Sequence, residues 1–192
     1  MKYLASAALM AATFAAAPAF AADDSVTYRV EIHGGWDRVV VGGGKDTGAT
    51  YGVGLGIDIP VGSMAFIGFE ADADLSTTKE CVTGVFFVGD RFCEKAGRDL
   101  AAVARAGVNV GSGIKLYVLG GYANARIKDS YTGTSPLIPS FKVSDNGNGW
   151  RIGTGTEVKL GKSAYTKIEY RYSNYEAGYE RHQVIAGLGL GL

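Results

Sequence analysis

Histidine, cysteine and proline are scarce in this chain, and each scarcity narrows what it can do. His33 and His182 are the only histidines and Cys81 and Cys93 the only cysteines in 192 residues. Neither histidine is near the cysteines in sequence, which argues against a zinc site, and no metal or cofactor site is assigned. An acid, base and nucleophile set is also missing, so no catalytic residue is assigned. Formal net charge is +0, with no basic stripe interleaved with aromatics, so nucleic acid is not an expected partner. Beyond the leader described below, no run of about 18 apolar residues occurs, which excludes a membrane-spanning helix. Four prolines against 29 glycines and 11 tyrosines suit many short strands and turns better than helices.

The chain begins with a leader. Lys2 supplies the positive start, Leu4 to Ala17 the apolar stretch, and Ala19-Phe20-Ala21 a small-residue cleavage site. Residues 1–21 are therefore expected to be a signal peptide and 22–192 a single exported domain. The competing reading, an N-terminal membrane helix, fits the alanine richness and the cleavage site less well.

Trp150 to Tyr172 carries the clearest structural signal. Trp150, Ile152, Thr154, Thr156, Val158 and Leu160 share one parity, and Arg151, Gly153, Gly155, Glu157 and Lys159 the other. After Gly161-Lys162-Ser163-Ala164, Thr166, Ile168, Tyr170 and Tyr172 alternate with Lys167, Glu169 and Arg171. Period-two alternation predicts a hairpin with one apolar and one charged face. The same pattern recurs at about 27–36, 50–59, 64–74, 100–110, 115–127 and through the C-terminal residues, which gives eight strands. In the 115–127 strand, Tyr117, Leu119, Gly121, Ala123, Ala125 and Ile127 are expected on the apolar face. Short turns near 60–63, 111–113 and 161–164 alternate with longer expected loops at 37–49, 75–98 and 128–148. Strands of about ten residues are long enough to cross a bilayer tilted.

The choice of which face meets lipid follows from the cost of charge. Arg or Lys on the lipid side at mid-membrane costs about 2–4 kcal/mol. Charge is nearly absent from the apolar parity, so the other parity is expected to point inward. The expected interior network is Glu31, Glu70, Arg105, Arg151, Glu157, Lys159, Lys167, Glu169 and Arg171, with both signs in similar number as buried charges require. Trp36, Trp150, Tyr170 and Tyr172 near strand ends are expected to form an interfacial aromatic girdle. A soluble sandwich with a solvated charged face would leave those rings without a role. The expected fold is all-β, a single eight-stranded antiparallel up-and-down transmembrane β-barrel.

Several segments carry a resemblance. Arg29-Val30-Glu31 with Gly34-Gly35-Trp36-Asp37, Phe66-Ile67-Gly68-Phe69-Glu70, Gly153-Thr154-Gly155-Thr156-Glu157, Lys167-Ile168-Glu169-Tyr170-Arg171-Tyr172 and Arg181-His182-Gln183-Val184 resemble the small outer-membrane barrels of the opacity-protein and OmpA-like transmembrane type. The resemblance spans nearly the whole exported chain. It implies a bacterial outer-membrane location and surface-exposed loops, without one implied activity. Such chains usually end on an aromatic residue, whereas this one ends in Leu192.

After export, Cys81 and Cys93 are expected to pair, the alternative being two free thiols. Gly161-Lys162-Ser163 lacks the earlier glycine and the strand-to-helix context of a phosphate-binding loop. The Gly52/Gly54/Gly56 and Gly187/Gly189/Gly191 runs follow period two and read as small inward residues. Barrel lipid hydrolases place a serine two residues after a histidine, where His182 is followed by Val184, so no enzyme is expected. The expected role is structural and interactive: the barrel sits in outer-membrane lipid, and its external loops present a binding surface to a host or envelope partner. The alternative is a narrow porin-like channel for ions or small solutes.

Overall fold

The structure, a computed structural model, describes residues 25–41 and 44–192. The leader and its cleavage site lie outside the described residues. The strands are β1 Thr27–Val41, β2 Gly44–Val61, β3 Ala65–Ser76, β4 Lys79–Thr83, β5 Arg91–Val110, β6 Ile114–Thr132, β7 Phe141–Lys159, β8 Ala164–Tyr175 and β9 Tyr179–Gly191. All pairings are antiparallel. β9 pairs with β1, and β3 pairs with β5, which closes the ring. β4 continues the line of β3 after a break at Thr77 and Thr78 and pairs with the far half of β5. Among the described residues, nine segments thus make eight staves. Closure removes the open sheet edge that hydrocarbon cannot solvate.

The alternation read from the sequence sets which side faces out. Ile152 and Ile168 are 51% and 60% exposed, whereas Glu157 and Arg171 are 3% and 0% exposed. A water-soluble sheet would bury the first pair and wet the second. Short turns join β2 to β3 and β5 to β6, where Gly62 and Gly111 adopt φ of 64° and 68°, a region that suits glycine.

The glycine runs have a specific packing role. In the first half of β1 the inward residues are Arg29, Glu31 and His33. Their neighbours on β2 are Gly56, Gly54 and Gly52, and those on β9 are Gly191, Gly189 and Gly187. A Cβ at Gly56 would lie 2.4 Å from Arg29 Nη2, and one at Gly189 would lie 2.3 Å from the Tyr165 ring. The bare backbone on both flanks makes room for the large polar side chains of β1.

Two expectations are corrected. Residues 37–49, 75–98 and 128–148 are not mainly loops, because the strands run on through much of them in register: Val39 pairs with Asp46, and Lys95 with Lys128. Outside lipid a hairpin satisfies its own backbone groups whatever its side-chain polarity, so a polar composition did not mark these segments as strand. β5 has 20 residues and β6 has 19, about twice what a crossing needs. They project far beyond the membrane, at the end opposite the short turns.

The second correction is the facing of β6. Tyr117, Leu119, Ala123 and Ala125 are buried inside, while Val118 and Tyr122 are exposed outside. Register fixes this, since Lys115 and Leu119 stand opposite Glu157 and Gly153 on β7. In this sector the interior is itself apolar, where Tyr117, Leu119, Phe66, Val103 and Ala101 form a small core. Apolarity alone therefore did not reveal the lipid side.

Candidate functional site: the charged lumen and the projecting hairpins

The inward residues of the eight staves meet as a continuous ion-pair network. Near the short-turn end, Lys115 reaches Asp58 at 2.8 Å, and Asp58 lies 3.3 Å from Arg29 and 3.4 Å from Arg105. One level up, Arg29 and Arg105 bracket Glu70 at 2.7 and 3.2 Å and Glu157 at 3.2 and 2.7 Å. Arg105 also lies 4.0 Å from the centre of the Tyr117 ring, and the Tyr117 hydroxyl donates to Glu169 at 2.6 Å. Lys167 bridges Glu31, Glu70 and Glu169. Arg171 gathers Glu169, Glu70, Asp72 and Asp74.

Above this level Arg151 reaches Asp99 at 2.5 Å, and Arg181 spans Asp99 at 2.8 Å and Asp37 at 2.7 Å. His33 sits between Glu31 and Asp74, at 3.2 and 2.5 Å from its two ring nitrogens. Both nitrogens can donate to carboxylates only in the imidazolium form. Glu31, His33 and Asp72 bring ligand-type atoms within 4.8 Å of one another. Lys167 and Arg171 already place positive charge against those carboxylates, so the group reads as part of the ion-pair lattice.

Of the nine expected interior residues, eight lie in this lattice: Glu31, Glu70, Arg105, Arg151, Glu157, Lys167, Glu169 and Arg171. Lys159 is corrected. It has the inward parity but is exposed, because β7 ends there. It stands on the rim of a mouth of about 440 Å³ at the short-turn end, whose lining includes Arg29, Asp58 and Glu157. Arg29, Asp37, Asp58, Asp99, Lys115 and Arg181 also belong to the lattice but are not among the nine residues expected there. Asp58 and Arg181 could have been found, since both continue the inward parity of their strands. Asp37 and Asp99 fell in or beside segments expected as loops.

Among the expected girdle rings, Trp36, Trp150 and Tyr170 are exposed on the outer wall and Tyr172 is half-buried. Trp150 packs edge-on against Tyr172 at 5.4 Å, and Tyr172 lies 5.0 Å from His182. The Tyr170 hydroxyl is 2.8 Å from His182 Nδ1. These rings cluster across β7, β8 and β9, while Trp36 stands apart on β1.

At the far end the two projecting hairpins are tied together. Cys81 and Cys93 form a disulfide between β4 and β5. In the turn that follows β4, the Asp90 carboxylate accepts the backbone N–H groups of Val85, Phe86 and Phe87 at 2.7, 2.8 and 2.9 Å. It also accepts the Tyr131 hydroxyl of β6 at 3.1 Å. Burial pushes the Asp90 carboxyl up, but these amide donors outweigh it and hold the group below its usual range. The Tyr131 ring is sandwiched between Phe86 at 5.5 Å and Phe141 at 5.4 Å. Thr134 donates to the Val88 carbonyl at 3.2 Å. Val88 and Leu137 are left 98% and 79% exposed at the tips.

A closed antiparallel wall, apolar outside and ionic within, defines an integral β-barrel membrane protein. The family model for the outer membrane protein beta-barrel domain matches residues 7–191. The chain belongs to that family and is a protein of the bacterial outer membrane. Among solved structures it is similar to Ail, the attachment invasion locus protein of Yersinia pestis, determined in complex with the heparin analogue sucrose octasulfate. That match has a TM-score of 0.60 and 14% identity, covering 87% of this chain and 99% of that one. It is also similar to Neisserial surface protein A, with a TM-score of 0.57, 12% identity and coverage of 86% and 98%. A major outer membrane protein from Thermus thermophilus gives 0.54, 10% identity, and 88% and 100%. A search of curated protein sequences returned no match.

Proposed function

We propose that this barrel is a cell-surface interaction protein, without enzymatic activity, whose projecting hairpins present a binding surface to a host or envelope partner. The observation that carries this reading is the contrast between the two halves of the molecule. The lumen is occupied by paired charges that leave little room for solute flow. The β4–β5 and β6–β7 hairpins, in contrast, are braced by Asp90 and Tyr131 and hold exposed apolar tips clear of the membrane. A surface held in one conformation loses less entropy on binding than a mobile loop does. Ail, which shares the fold, was determined with a sulfated ligand. The partners of His182 are the phenols Tyr170 and Tyr172, which gives the lipid-facing wall no serine nucleophile at that position.

The test has two arms. Replacing residues 84–90 and 133–140 by short glycine turns is expected to abolish adhesion of expressing cells to host cells or matrix while the folded barrel persists. Undiminished adhesion would refute the role of the hairpins. In planar bilayers the purified protein is expected to be silent. Discrete conductance steps would instead favour the narrow channel.

A further inference from the structure

The projecting sheet sorts its charges by face. Lys79 on β4 stands directly opposite Lys95 on β5, which stands directly opposite Lys128 on β6. One residue along, Glu80, Glu94 and Asp129 form a second row in the same register. Period-two geometry puts these rows on opposite sides of the sheet. On β6 the parity that buries Ala125 and Tyr131 inside also carries Asp129, so the acid row faces the barrel axis and the lysine row faces outward.

Like charges directly opposite one another destabilise a sheet. Among the described residues the lysines in ion pairs are Lys167, deep in the barrel, and Lys115, near its short-turn end. Lys79, Lys95 and Lys128 are exposed and have no ion-pair partner among the described residues. A one-residue slip would exchange the two rows, so the sequence specifies which face is basic. Arg126, two residues from Lys128 on the same outward parity, extends the row towards the membrane.

Location indicates what meets this row. The outward side chains below it are Leu75, Leu100, Tyr122 and Trp150, the upper edge of the lipid-facing belt. Lys79 lies four residues beyond Leu75 and Arg126 four beyond Tyr122. That is about 13 Å along a strand, or about 10 Å of height at a tilt of about 40°. This is above the hydrocarbon, and lysine stems can carry their ammonium groups several ångströms further down. The row looks sideways at the surrounding lipid rather than upward at an approaching partner.

We propose that Lys79, Lys95 and Lys128, with Arg126 below them, form a docking surface for the phosphate-bearing headgroups of the outer-leaflet lipids around the barrel. Three lysines on adjacent strands whose backbones lie about 5 Å apart offer several ammonium groups at once to a multiply phosphorylated headgroup. The inward acid row keeps such anions off the axial face. This inference rests on the outer-membrane location and is independent of the adhesive role proposed for the hairpin tips.

The test is a titration of the folded, full-length exported chain in neutral detergent with diphosphorylated lipid A, its dephosphorylated form, and a soluble sulfated oligosaccharide. The triple variant K79Q/K95Q/K128Q is expected to bind diphosphorylated lipid A roughly 100-fold more weakly than the unmodified chain. E80Q/E94Q/D129N, altered on the inner face, is expected to bind at least as well as the unmodified chain. Dephosphorylated lipid A should not distinguish the variants. A loss below about threefold would overturn the proposal, as would a loss confined to the sulfated oligosaccharide. Should the triple variant fail to fold, Lys128→Gln alone is expected to weaken binding roughly fivefold, and an unchanged affinity there would overturn the proposal equally.

Discussion

Removing Asp99 should destabilise the barrel more than removing Glu70, although Glu70 touches more cations. Glu70 contacts Arg29, Arg105, Lys167 and Arg171. Each of these keeps at least two other carboxylates: Arg29 has Asp58 and Glu157, Arg105 the same pair, Lys167 has Glu31 and Glu169, and Arg171 has Asp72 and Asp74. Asp99 serves Arg151 at 2.5 Å and Arg181 at 2.8 Å. Arg181 keeps Asp37, but the other carboxylate near Arg151 is Asp74 at 3.8 Å, and Arg151 is fully buried. Breaking a buried pair is costly because of the charge left uncompensated, about 3–5 kcal/mol. Asp99→Ala is therefore expected to cost about 4 kcal/mol and Glu70→Ala about 2 kcal/mol. Reversible urea unfolding in phospholipid vesicles, followed by Trp36 and Trp150 emission, measures both. If Glu70→Ala proved equally or more destabilising, the cost would track the number of contacts rather than residual charge, and this reasoning would be refuted.

Three further outcomes follow from the packing. Asp90→Asn should free the 84–90 turn, read as faster amide exchange at Val85, Phe86 and Phe87, with the membrane-embedded barrel unaffected. Because the Asp90 carboxyl is held below its ordinary value of 3.8, its contribution is complete above that pH and is lost as pH falls through the lower folded value. The protection of these amides by the carboxylate should accordingly be constant from pH 8 to about pH 5. Cys81→Ser with Cys93→Ser should cost the β4–β5 hairpin up to about 3 kcal/mol of local stability in the chain-entropy account. That loss is read as protease sensitivity of the hairpin without loss of the heat-modifiable band on gels. Gly189→Ala should push the Tyr165 ring away from Glu31, its 2.9 Å acceptor, and cost about 1–3 kcal/mol in the same urea assay.

The barrel was legible where period-two alternation was unambiguous. On β7 from Arg151 onward and on β8 as far as Ser173, the inward positions are almost all charged, hydroxylic or glycine, so parity and facing coincide. β6 defeated the same rule because its inward Tyr117, Leu119, Ala123 and Ala125 are as apolar as its outward residues, and only pairing with β7 settles the facing. Strand length was underestimated for a related reason. Above the membrane both faces are polar, so alternation in hydropathy fades at Lys128 and Asp129 while hydrogen-bonded pairing continues. Loss of that signal hid Asp99 and Asp37 from the ion-pair lattice and hid the opposed lysine and acid rows, which exist only once three strands are in register. Lys159 shows the converse, since correct parity does not guarantee burial at a strand end.

The central claim is that apolar side chains line the lipid and charges line the axis. The most direct measurement is the accessibility of nitroxide labels at Ile152→Cys and Ile168→Cys, compared with Glu157→Cys, in a Cys81→Ser/Cys93→Ser background reconstituted in vesicles. Strong collisional relaxation by oxygen, which partitions into acyl chains, is expected at 152 and 168, and little at 157. Labels at 152 and 168 shielded from oxygen, with the label at 157 freely exposed to it, would contradict the inside-out arrangement.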